Sequence, residues 1–229
     1  IYVKALYGGT YGATTPETTL GEGKYLSYIE IDNSFSEAEG YNSYGIDAAR
    51  VTAAHEFHHA IQIGNYIYRS DDLFYYELTS TSFEEFVFDH VNDYYAYMYS
   101  FFRSPNNRFE DNSGYNLAIW NINLKERFFT DDTMLGYNIV KRSWEYMAGN
   151  RAMVALAKAM NDYNKSFHNE FNKFGDWLNF TKGNSKSGEY FEEAANYPSI
   201  RSTYKIDLDP NQKTINISTQ PTLLFIMMT

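Results

Sequence analysis

Three of the five histidines in the chain fall within one pentapeptide, His55-Glu56-Phe57-His58-His59. His55, Glu56 and His59 satisfy H-E-x-x-H, a pattern that shuffling this composition gives on the order of once in a hundred tries. On a helix, residues four apart share one face, so His55 and His59 can grip one Zn²⁺ at about 2.0–2.1 Å. Glu56 sits about 100° round the helix, where it can reach a water beside the metal without binding the metal itself. Zinc lowers the pKa of its water toward ~7. A neighbouring carboxylate can then take the proton and later deliver it to a leaving amine. His58 is also one turn from His55, but only the His55/His59 pair flanks a glutamate in the productive place. His58 is therefore read as a packing or hydrogen-bonding neighbour.

A catalytic zinc usually has three protein ligands and one open position. In the extended pattern H-E-x-x-H-x-x-G-x-x-H the third ligand is histidine. Here Gln62 stands where that glycine would be, and Asn65 stands in place of the histidine. The third ligand must come from further on, and a carboxylate on the next helix is the natural source. That segment reads YYELTSTSFEEFVFD, and Glu77 is the expected ligand. Thr79, Ser80, Thr81 and Ser82 are small and would let the two helices approach closely. Glu84 lies a heptad from Glu77 on the same face and is expected to orient a ligand histidine. Glu85 is expected to be a solvated helix carboxylate.

These residues need elements to hold them. Residues 1–23 are rich in Gly and Thr and read as irregular. Alternation predicts a strand over 25–32. The period turns helical from about Ile46, with Val51, Ala54, Phe57 and Ile61 as an apolar stripe and Gly64 as the stop. Helices are predicted over about 73–90, 93–102, 115–128, 133–147, 151–163 and 167–181, with a short one over 189–195. Strand spacing returns at 204–208, 214–218 and 223–228. The fold class is thus mainly α (α+β). Tyr94 to Phe102 could line a cleft with hydroxyls, although such a stripe is more often core. Trp120, Trp144 and Trp177 read as core.

The segments TAAHEFHHAIQ and ELTSTSFEE resemble the gluzincin zinc metallopeptidases, which share the thermolysin and aminopeptidase architecture. They look closest to secreted bacterial metalloproteases with a T-A-A-H-E-x-x-H-A-I-Q motif. Later stretches, VNDYYAYMYSFFRSP, YNLAIWNINLKERF and FNKFGDWLNFTKG, look like that family's later helices, and the resemblance covers roughly residues 25–198. It implies a zincin-like fold in which the active-site helix lies under a small N-terminal sheet, followed by a helical C-terminal lobe. It implies one zinc on His55, His59 and Glu77, with Glu56 as general base. It also implies an oxyanion donor, Tyr115 by context or Tyr137 as the alternative. The relatives pair substrate along an edge strand, and the strand holding Tyr28, Glu30 and Asp32 is expected to serve. Where the family has glycine after the ligand glutamate, this chain has Leu78, whose bulk could narrow the cleft.

The expected organisation is a zincin subdomain over 1–92, a helical subdomain over 93–199 and a short β segment over 200–229 that could begin a further domain. The formal charge is −10 and no Lys/Arg run occurs, which argues against nucleic acid. No apolar run reaches the ~20 residues of a membrane span. The chain has no cysteine, so disulfides, thiolate metal sites and a Cys nucleophile are excluded. Asp71-Asp72 and Asp131-Asp132 could bind Ca²⁺, but neither has the spacing of a calcium loop. The reading is a secreted, monomeric zinc endopeptidase acting on protein or peptide. The alternatives are a catalytically idle relative that binds protein or glycan, and a zinc hydrolase of non-peptide substrates.

Overall fold

The Gly- and Thr-rich start of the chain is not irregular. In a computed structural model, which describes residues 1–130 and 132–200 and the backbone of 205–207 and 225–227, it forms two strands. These are β1 (Tyr2–Lys4) and β2 (Gly12–Gly21). β2 folds back antiparallel onto β3 (Lys24–Asp32). The two turn residues, Glu22 and Gly23, both have positive φ, +53° and +75°, the requirement of a tight hairpin turn that matches strand twist. The signal was therefore the turn, and β-branched threonines suit the strand that precedes it. β1 adds parallel to β3, pairing Tyr2 with Glu30, so the order is β1-β3-β2 and β3 is the central strand.

Helix α1 (Gly45–Ile61) crosses beneath this sheet, against β2 and β3, and packs on its other side against α2 (Leu73–Val87). Because α1 is covered on two sides, its buried positions are not one stripe. Val51, Thr52, Ala54, His55 and Glu56 are buried, whereas Phe57, expected on the apolar face, is 56% exposed. Gly64 does not stop the helix. It lies inside a π-helical turn, Gln62–Tyr66, that continues α1.

The remaining helices are α3 (Tyr95–Arg103), α4 (Ala118–Phe128), α5 (Leu135–Met147), α6 (Ala152–Asp162) and α7 (Phe167–Asn179). A 3₁₀ turn, Tyr115–Leu117, leads into α4. The main core gathers α2 with these later helices around Trp120, Trp144, Tyr75 and Leu78, while Ile29, Ile31, Phe35, Tyr41 and Ala48 form a second small cluster under the sheet. Trp177 packs at the edge of the main core. The short helix expected over 189–195 is a run of turns, pinned by buried Phe191, Ala194 and Tyr197. β4 (Lys205–Asp207) and β5 (Phe225–Met227) pair in parallel within two of the expected terminal strands. The third, 214–218, lies outside the described residues. No helix among the described residues is long and apolar enough to cross a membrane.

Candidate metal centre

The four-residue spacing on α1 brings the His55 and His59 rings to 4.6 Å between centroids. α2 packs closely against α1, with the buried Thr79 and Ser80 hydroxyls meeting Gln62, while Ser82 turns away to Asn121 on α4. Glu77 Oε2 then lies 3.2 Å from His55 Nε2 and 3.3 Å from His59 Nε2. The ligand-type atoms of these three side chains lie within 4.8 Å of one another, and among the described residues no other group of this kind occurs.

Each histidine is held from behind. His55 Nδ1–H donates to Glu84 Oε1 at 2.6 Å. His59 Nδ1–H donates to Gln62 Oε1 at 2.7 Å. The Gln62 amide is fully buried, and its Nε2 faces the Tyr76 carbonyl and the Thr79 and Ser80 hydroxyls. A carbonyl can only accept, so the Gln62 oxygen must face His59, and His59 must carry its proton on Nδ1. Gln62 Nε2 also donates to His58 Nδ1 at 2.9 Å. His58 stacks on Phe83 at 4.7 Å, and burial pushes its pKa down to about 3, so it stays a neutral acceptor. His58 thus fixes Gln62, which fixes His59. Sequence reading noticed Gln62 only as a missing glycine.

With both Nδ1 atoms donating backwards, both Nε2 atoms face the Glu77 carboxylate, so a proton or a shared cation can bridge each of them to it. Tetrahedral ligands on bonds of about 2.0–2.1 Å lie roughly 3.3 Å apart, the separation seen on the two edges to Glu77. Burial opposes charge on His55, but hydrogen bonds to Glu77 and Glu84 overcome it and raise its pKa to about 10. Hydrogen bonds and charge from His55 and His59 hold the Glu77 carboxyl well below its usual range despite burial. The group could hold a metal ion.

Compared with protein-family models, curated proteins and solved structures, the chain matches none.

Glu56 is buried beside the group, and its Oε2 accepts from Thr14 Oγ1 at 2.7 Å. The same hydroxyl reaches the Glu56 carbonyl at 2.8 Å, so β2 clamps this residue of α1. The approach requires Gly12, where a Cβ would lie 2.8 Å from Thr52 Cγ2 and 2.9 Å from Glu56 Cγ. Tyr115 stacks on His55, 5.7 Å between centroids and 6° between planes. Gly114, at φ +98°, makes this possible, since a Cβ there would collide with the Phe74 carbonyl and Glu77. Burial, then the charge of Glu77, raises the Tyr115 hydroxyl well above its usual range, so it remains a proton donor. Tyr137 instead packs edge-on against Phe86 at 4.8 Å.

Two cavities flank the group. One, of about 480 Å³, is lined by His55, Glu56, Glu84, Asp93, Tyr97 and Tyr115 among others. The other, of about 280 Å³, is lined by Glu56, His59, Glu77, Tyr115 and the β2 residues Gly12–Thr14 and Pro16.

Several expectations are corrected. β3 is not the edge strand. Tyr28 meets Tyr2 edge-on at 5.9 Å, Glu30 pairs with Lys4, and Asp32 is buried, accepting from the backbones of Leu6, Ser34 and Phe35. The edge that borders the group is β2, because β1 and β2 take the two sides of β3. Leu78 does not narrow the cleft: it faces the helical core and lines neither cavity. Glu85 is not solvated but 3% exposed, and burial raises its carboxyl to about 9. The tyrosine-rich helix divides its faces, with Met98, Phe101 and Phe102 in the core and Tyr97 at the larger cavity. Asp72 binds Arg69 and Arg151. Asp132 accepts from Met134 N at 2.9 Å at the start of α5.

Proposed function

We propose that the chain is a zinc-dependent peptidase of gluzincin type, with His55, His59 and Glu77 holding one Zn²⁺. The reading rests on one observation: two oriented imidazole Nε2 atoms and a carboxylate converge between Glu56 and Tyr115 at an open cleft. When bound, zinc supplies Lewis acidity to a carbonyl and lowers the pKa of water.

The chain's own residues supply the rest. Glu56 takes a proton from the attacking water and passes it to the leaving amine. Thr14 holds the Glu56 carboxylate in one orientation. Tyr115 keeps its proton and donates a hydrogen bond to the substrate oxygen as it gains charge, a contribution of ~2.7–4 kcal/mol for such donors. The outer edge of β2 supports an extended peptide lying along Gly12 to Pro16 as an added strand.

Zinc-loaded wild type and Glu56→Gln are compared on a peptide library. The expected outcome is equal zinc content and a loss of about 10²–10⁴-fold in turnover in the variant. Zinc-loaded wild type that cleaves no peptide overturns the reading.

A further inference from the structure

The larger cavity is rich in carboxylates. Glu56, Glu84 and Asp93 line it, and among the described residues no Lys or Arg does. Glu84 is engaged by His55 and Glu56 by Thr14. Asp93 is different. It is 6% exposed, accepts from Tyr11 Oη at 3.2 Å and Tyr97 Oη at 3.1 Å, and makes no ion pair among the described residues. Two neutral donors do not offset a buried carboxylate as a cation does.

A second observation points the same way. Thr52 lines the cavity, is 4% exposed, and its Oγ1 has no hydrogen-bond partner. Buried hydroxyls are normally satisfied, so this one has an acceptor to offer. The wall also presents the rings of Tyr11, Tyr97 and Tyr115, and aromatic faces attract cations. Tyr97 lies 5.3 Å from Tyr115, which stacks on His55. The cavity therefore opens directly onto the atoms assigned to bond cleavage.

We propose that this cavity is a substrate subsite for a positively charged group, an ammonium or guanidinium, bound against Asp93. The inference rests on the peptidase reading of the neighbouring group. Such a charge can come from a Lys or Arg side chain or from a free N-terminal amine.

The test uses the zinc-loaded full chain and peptide pairs that differ only in lysine or norleucine at one position, each with a free or acetylated N-terminus. Turnover and calorimetric binding are measured for wild type and Asp93→Asn. The cationic member is preferred about 10- to 100-fold in kcat/KM by wild type, and Asp93→Asn brings the pair within about twofold. A preference that follows lysine assigns the charge to a side chain. One that disappears on acetylation assigns it to the terminal amine. Equal handling of charged and neutral peptides by wild type overturns the inference, whether or not the variant folds. Selective binding without turnover keeps the subsite and removes the peptidase reading, while turnover without selectivity does the reverse.

Discussion

Asp72 and Asp93 occupy similar places and are treated in opposite ways. Each is buried just ahead of a helix, α2 for Asp72 and α3 for Asp93. Asp72 receives Arg151 Nε at 2.8 Å and Arg69 Nη1 at 3.2 Å. Arg69 also reaches the Asn150 carbonyl at 2.6 Å, which ties α2 to the α5–α6 connection. Among the described residues the Asp93 carboxylate receives only two tyrosine hydroxyls, and it lines a cavity. A buried carboxylate without a cation is costly. The scaffold removes that cost with arginine, whereas the cleft leaves it in place. Glu77 is met by two histidine rings and, among the described residues, by no Lys or Arg. Glu77 and Asp93, which no arginine or lysine meets among the described residues, thus lie at the proposed metal and substrate sites.

That contrast can be broken at the paired end. Asp72→Ala leaves two arginines facing each other, and unfolding in urea is expected to show a loss of about 2–3 kcal/mol. This is below the 3–5 kcal/mol of a wholly buried pair because Arg151 is half exposed. Zinc affinity is unchanged if the staple is only scaffold. A smaller effect is expected at the cleft from Gln62→Leu, which frees the His59 ring. Zinc binding measured against a chromophoric chelator weakens by about 10–100-fold. Unchanged affinity would show that Gln62 does not orient the ligand.

Glu85 sharpens the comparison with a third solution, its own proton. Its carboxyl is pushed from the ordinary 4.5 up to about 9, by burial first and then by Asp89, against the pull of Lys125. The folded chain therefore keeps a proton that the unfolded chain has released. The resulting stability is full below about pH 4.5 and is lost as pH rises through about 9, by at most ~1.4 kcal/mol per pH unit. In Glu85→Gln this decline disappears from the stability–pH curve. A variant curve parallel to wild type would mean that Glu85 is ionised throughout.

What the sequence disclosed divides along the same line between local and long-range order. His55, Glu56 and His59 were legible because helical spacing alone puts two imidazoles on one face, and Glu77 followed from the small residues that let α2 approach. Tyr115 was found only through a family resemblance; its placement on His55 depends on Gly114 crossing the Phe74 backbone, which no local pattern reveals. The sheet was misread because β1 and β2 gain their meaning from pairing with β3, and strand order is a property of the folded chain. Gln62 was overlooked because the Tyr76, Thr79 and Ser80 groups that set its amide lie across the α1–α2 seam, although His58 and His59 are one turn away. Asp93 was hidden in a tyrosine-rich stretch until Tyr11, far away in sequence, closed over it.

Zinc titration of wild type and Glu77→Ala, with metal content measured per chain, tests most directly whether the converging His55, His59 and Glu77 side chains form a metal centre. The account predicts one zinc per wild-type chain and, in the variant, affinity weakened by more than the roughly 10–100-fold expected for an orienting residue. Wild type that binds no stoichiometric zinc, or a variant that binds it as tightly, would contradict the account.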